Sequence, residues 1–285
     1  MTTVIEAIKP LSYAATFAIM FGGALRLKPE TLRRAAQNPR LFLRTLFVVW
    51  IGVPVITGLV ILAVGATGRS AALILLMSVC PGVPILLGTT RTVRGAMATA
   101  FLALVLTAAT EPLMIPFWTR LMSRYLPLDL SVQPHHVLDV LLPMVFFPIA
   151  LGFIIRDASD RVTTVLIRAS NIVYSIGAIA CVVGIAWKGL PLLTEVPIPA
   201  ILAAMIITVC DVILGFWAGK PKMEDRKAVA LAAALGNPAL AIAVVEASYP
   251  ELRASAYVSV YLVIRGTAMV PVEFWLKRQV QKGGA

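Results

Sequence analysis

The chain is 285 residues long, 59% hydrophobic and only 14% charged, with a mean hydropathy of +0.90. A soluble domain carries about a quarter charged residues, so this composition excludes an ordinary soluble protein and implies an integral membrane protein in a lipid bilayer. The net charge of +11 is spread between apolar runs and not gathered in one patch, so no nucleic-acid partner is expected.

An apolar stretch of about 20 residues crosses the bilayer core. Nine such stretches are expected, at roughly 9–25, 41–66, 70–90, 95–119, 136–155, 163–188, 197–219, 226–249 and 252–276. Residues 1–10 mix charges and no small-residue cleavage site follows, so no cleavable signal is expected. The third stretch reads "SVCPGVPILLGTT", with Pro81, Gly82 and Pro84 inside it. Proline removes a backbone donor and costs about 3 kcal/mol or more in a helix interior, so the helix is expected to break there. The fourth contains "LTAATEPLMIP", placing Glu111 near mid-span beside Thr107 and Thr110. The loop "SVQPHHVLD" holds adjacent His135 and His136, read as exposed loop residues. Asp211 lies in the seventh stretch and Arg265 in the ninth, while Glu246 is expected near the end of the eighth. Charges within spans are costly and usually face a cavity or one another. A Glu111–Arg265 or Asp211–Arg265 pair is therefore an alternative to a functional role. Cys80, Cys181 and Cys210 all fall in apolar segments, so no disulfide, metal site or cofactor is expected. Trp50, Trp118, Trp187, Trp217 and Trp275 mostly lie near span ends, as in an aromatic belt.

The eighth stretch, "DRKAVALAAALGNPALAIAVVEASYP", breaks in its turn at Gly236, Asn237 and Pro238. Segments 1–4 and 6–9 form two sets of four, and the interrupted segments 3 and 8 hold the same place in each, running in opposite directions. Two inverted repeats, about 9–119 and 163–276, are thus expected, joined by a linking helix at about 136–155, all in one transmembrane domain spanning 1–285. Paired broken helices in inverted halves point to a secondary transporter's midplane site. Pro84 and Pro238 suit the first position of a new half-helix, and Asn237 suits the N-cap. The following N–H groups, Leu86–Leu87 and Ala239–Ala241, are expected to point unpaired into the site and attract an anion. Eighteen of the 25 lysines and arginines fall in loops on one side and six on the other, with Arg265 left inside a span. The bias places the N-terminus outside and the C-terminus in the cytoplasm.

These motifs resemble the bile acid:sodium symporter family. "GGALRLKPETLRRAAQNPR" is similar to that family's loop after its first core-repeat helix, "CPGVP" stands at its Cys-Pro-Gly-Gly turn, and "ALGNPALAIAV" is similar to its second crossover. The likeness runs over roughly Leu11 to Lys277, and nine spans match members lacking the first helix. It implies a panel domain, a core domain with crossed discontinuous helices, and alternating access for organic anions. The departures concern sodium. The family's Glu and Gln ligands fall at Ala232 and Gly236, its Ser-Asn pair near Leu86–Leu87, and only its Asn is kept, as Asn237.

The expectation is an all-α polytopic carrier in a bacterial inner membrane, not an enzyme. It moves a small organic anion that binds at Pro81, Gly82, Pro84, Gly236, Asn237 and Pro238. Glu111, Thr107, Thr110, Asp211 and Arg265 are the candidate proton or ion-coupling residues. Coupling is to protons or absent; a sodium symporter with a relocated cation site is the alternative. A channel or a transporter-derived sensor is the other rival. No nucleophile–base pair or metal-binding motif supports an intramembrane enzyme.

Overall fold

The computed structural model describes residues 2–122, 124, 132–156, 159–238, 240–242 and 254–279. Those residues form helices and no strand. In chain order they are α1 (Thr2–Arg26), α2 (Pro29–Ala36), α3 (Pro39–Val64), α4 (Gly68–Ser78), α5 (Ile85–Thr92) and α6 (Met97–Met122). After them come α7 (Pro134–Arg156), α8 (Asp160–Gly189), α9 (Ile198–Ala218), α10 (Met223–Ala234) and α11 (Ala254–Arg278). Six helices are long and apolar enough to cross a bilayer, namely α3, α6, α7, α8, α9 and α11. They coincide with six of the nine expected stretches. The stretch at 9–25 lies within α1, and the other two are the interrupted ones. Glu246 and the end of the eighth stretch lie outside the described residues.

Helices pack here through small residues, because apolar lipid gives no hydrophobic drive for two apolar helices to associate and close van der Waals contact must do so. A Cβ added to Gly177 of α8 would lie 2.4 Å from the Ala15 Cβ of α1, and one at Gly152 of α7 would lie 2.9 Å from the Phe21 carbonyl of α1. Likewise a Cβ at Gly215 of α9 would lie 2.5 Å from the Val229 carbonyl of α10. Of these helices α1 packs most extensively on α8 and α7, α9 packs on α10, α3 and α11, α10 packs on α6, and α11 packs on α8 as well as α9. On α8, Ile172, Ile176, Ile179 and Val183 recur every three or four residues and are exposed, an apolar stripe suited to lipid.

Pro54 shows how a span can replace the donor that a proline removes. Pro54 cannot donate to the carbonyl four residues before it, that of Trp50, and the helix widens to a π turn at Val48–Gly52. The orphaned Trp50 carbonyl accepts instead from Trp118 Nε1 of α6 at 2.9 Å, while Trp50 Nε1 donates to Thr110 Oγ1 at 2.9 Å. Trp50 is thus buried as a bond between α3 and α6, which corrects its reading as a belt residue. Position in a span could not reveal this, because the missing proline donor creates the need for a partner. Trp187 and Trp217 are exposed, as expected of a belt. His135 and His136 are also exposed, at the start of α7.

Candidate functional site

The first interruption falls between α4 and α5, at residues 79–84, and the second follows α10, at residues 235–237. The same proline rule explains how they fit together. Pro84 leaves the Cys80 carbonyl without its helical donor, and the Asn237 N–H of the second break donates to that carbonyl at 2.5 Å. Gly236 lies beside it, where a Cβ would sit 2.9 Å from the Met77 carbonyl. The breaks therefore meet and satisfy each other's backbone, which matters where no water is at hand. Asn237 also caps the turn that follows: its Oδ1 accepts from the Leu240 N–H at 3.2 Å. Pro84 stands at the N-cap of α5, one residue before its first helical position.

One expectation is corrected. The N–H groups of Leu86, Leu87, Leu240 and Ala241 after the breaks are not free, and Ala239 lies outside the described residues. Leu86 and Leu87 donate to the carbonyls of Val83 and Pro84, Leu240 to Asn237 Oδ1, and Ala241 to the Asn237 carbonyl. The new turns start with tight i to i−3 bonds or a side-chain cap, both of which consume terminal donors. Unpaired amides do not make an anion site at these positions.

Charge enters from neighbouring helices. Gly82 holds a left-handed backbone, φ +71°, and the Glu111 carboxyl of α6 packs directly on its Cα face. A Cβ there would fall 2.2 Å from Glu111 Oε1. Glu111 is fully buried, and among the described residues neither of its oxygens has a hydrogen-bond partner. An ionised carboxylate in that position is costly unless a proton or cation shares it. Thr107 and Thr110 do not supply the missing contacts. The Thr107 hydroxyl donates to carbonyls of its own helix, those of Ala103 and Leu104. Thr110 bonds its own helix and accepts from Trp50.

Of the two pairings left open for Arg265, the structure forms the one with Asp211. Nη2 donates to Asp211 Oδ2 at 2.8 Å, Nε to Thr208 Oγ1 at 3.0 Å, and Nη1 to the Tyr261 hydroxyl at 3.2 Å. Thr208 and Tyr261 could not be singled out from sequence, although both lie one turn from a charged partner (Thr208 three residues before Asp211, Tyr261 four before Arg265). A small cavity lies beside the breaks and this cluster. Ser78, Pro81, Leu235, Gly236 and Arg265 line it, with Val49 and Val53 of α3 on the far wall. Pro81, Gly82, Gly236, Asn237, Glu111 and Arg265 are thereby gathered around one region, while Thr110 is turned to Trp50.

Six helices long and apolar enough to cross a bilayer, with no strand among the described residues, define an integral membrane protein. The chain belongs to the sodium bile acid symporter family, whose model matches residues 14–196. The matched residues include the first break and Glu111; Asp211, Asn237 and Arg265 lie beyond them. No curated protein matches the chain.

Proposed function

We propose that the protein is a secondary carrier that moves a small organic anion across a bacterial inner membrane by alternating access, with Glu111 carrying a coupling proton. The chain crosses nine times with its N-terminus outside, in two inverted repeats around a linking helix. The helices α1, α7 and α8 serve as the panel, and the remaining helices serve as the core. Cargo binds at the paired breaks, against Pro81, Gly82, Pro84, Gly236, Asn237 and Pro238.

The observation that carries this reading is the meeting of the two breaks with an unpartnered, fully buried carboxyl placed against one of them. A proton needs only the carboxyl itself. A sodium ion needs several oxygen ligands in a shell, and the positions where the resemblance puts them hold Ala232, Gly236, Leu86 and Leu87. The family's name favours sodium, so the test imposes the two gradients separately. Proteoliposomes are given an inward proton gradient or an inward sodium gradient, and uptake is followed over a panel of radiolabelled organic acids. Saturable uptake driven by the proton gradient is expected, and Glu111→Gln should flatten its pH dependence. Pump-like dependence on sodium alone, or an unchanged pH profile in Glu111→Gln, overturns the coupling. Uptake that does not saturate and shows no counterflow points to a channel, and binding without flux to a sensor.

A further inference from the structure

The Asp211–Arg265 pair is the charge cluster that proton carriage by Glu111 leaves without a task. Its geometry is lopsided. Asp211 is fully buried and engages Arg265 through Oδ2, yet its Oδ1 has no hydrogen-bond partner among the described residues. A buried pair offsets its desolvation only when the geometry is good and the remaining lone pairs are satisfied. Guanidinium and carboxylate frequently pair as a two-armed fork, and this pair is one-armed, with Nε and Nη1 of Arg265 given to Thr208 and Tyr261. Placement is the second observation. Among the described residues, Arg265 is the only charged one lining the cavity at the breaks, beside Ser78, Pro81 and Gly236. Its hydrogen-bond partner Tyr261 lines a second cavity, with Ser70, Leu73 and Ala200. The guanidinium thus lines one cavity and bonds a tyrosine that lines another, and the break amides of Leu86, Leu87, Leu240 and Ala241 are already bonded.

We propose that Arg265 recognises the anionic head of the cargo, a carboxylate or sulfonate, and that Asp211 is an internal stand-in that occupies Arg265 when cargo is absent. This rests on the organic-anion reading above. The arriving anion takes the Nη2 arm from Asp211 Oδ2, the buried Asp211 carboxyl takes up a proton as it loses its cation, and Thr208 and Tyr261 hold the guanidinium in place through Nε and Nη1. Selectivity for charge then resides in one side chain, and affinity is set by competition with a carboxylate of the protein itself.

The test uses the full chain purified in detergent at fixed sodium. The probes are potassium salts of straight-chain monocarboxylates and sulfonates of two to eight carbons, each paired with its neutral amide, and binding is read as the shift in unfolding temperature. Wild type is expected to respond to an anion and not to its amide. Asp211→Asn removes the competitor and should lower the half-saturating concentration about tenfold. Arg265→Lys keeps a charge beside Asp211 but loses the fork, and should raise it about tenfold. The neutral pair Asp211→Asn with Arg265→Gln can still hydrogen-bond across the helices, and should no longer tell anion from amide. Unchanged anion response in Arg265→Lys, or in the neutral pair with a native elution profile, overturns Arg265 as the recognition residue and leaves the anion reading standing. A wild type that answers to no anion in the panel overturns the organic-anion reading and this proposal together.

Discussion

At the residue scale the tightest constraint in the site is Gly82. Its φ of +71° is a conformation that costs a side-chain-bearing residue about 1–2 kcal/mol, and its missing Cβ is the space that the Glu111 carboxyl fills. Gly82→Ala should therefore lower stability by about 1–3 kcal/mol, seen as a lower unfolding temperature in detergent. Combining it with Glu111→Ala should recover the steric part and leave the backbone cost, so the two losses will not add. Strict additivity would mean that the carboxyl does not rest on the glycine. Both residues stood out in the sequence, Gly82 for the break and Glu111 for its charge in a span. Their contact did not, since 29 residues of chain separate them and no local periodicity links a loop glycine to a facing helix. Proline counting goes further: Pro84 marks the Cys80 carbonyl as needing a donor, but it cannot say that Asn237 provides it.

At the scale of elements, the long spans were legible because bilayer thickness fixes the length of an apolar helix, and the two breaks because proline cannot continue one. What escaped was packing. Gly215 reads as an unremarked glycine in an apolar run, yet it lets α9 lie directly on α10, with the Val229 carbonyl 2.5 Å and the Ala230 Cα 2.7 Å from where a Cβ would be. These are backbone atoms of a helix that is buried along most of its length, so neither side can yield by turning a rotamer. Gly215→Val should push the helices apart and cost about 1–3 kcal/mol or more, measured as loss of folded protein in size-exclusion profiles and a lower unfolding temperature. Gly266 of α11 has open space around its Cα, and Gly266→Ala makes the matching control with little effect. Equal stability of the two variants would show that the α9–α10 contact is not close-packed. The ionisable residues were half legible in the same way. Their cost in lipid singled out Asp211 and Arg265, but the choice between two pairings depended on which faces of α9 and α11 meet.

At the scale of the whole molecule, the proposed panel of α1, α7 and α8 touches the proposed core along a surface that alternating access would require to slide. Across it α8 packs on α11, α1 on α5, and the Phe101 ring of α6 meets the Phe153 ring of α7 edge to face, centroids 6.0 Å apart. Glycine recurs on that surface. A Cβ at Gly23 of α1 would sit 2.8 Å from Leu87 Cδ1 of α5, and one at Gly88 of α5 would sit 2.5 Å from the Tyr174 hydroxyl of α8. Unlike the contact at Gly215, both obstacles are the far ends of flexible side chains, so a substitution here can be absorbed in one resting arrangement. If the proposed panel and core slide past each other, an added side chain at this position has to pass Tyr174 in doing so. Gly88→Val is therefore expected to fold and to bind cargo as wild type does, while its uptake rate in proteoliposomes falls about tenfold. Tyr174→Ala, which shortens the obstacle, should restore most of that rate in the double variant and change little alone. Wild-type uptake by Gly88→Val would place the moving surface elsewhere, whereas loss of binding in step with uptake would make Gly88 part of the site and not of the path.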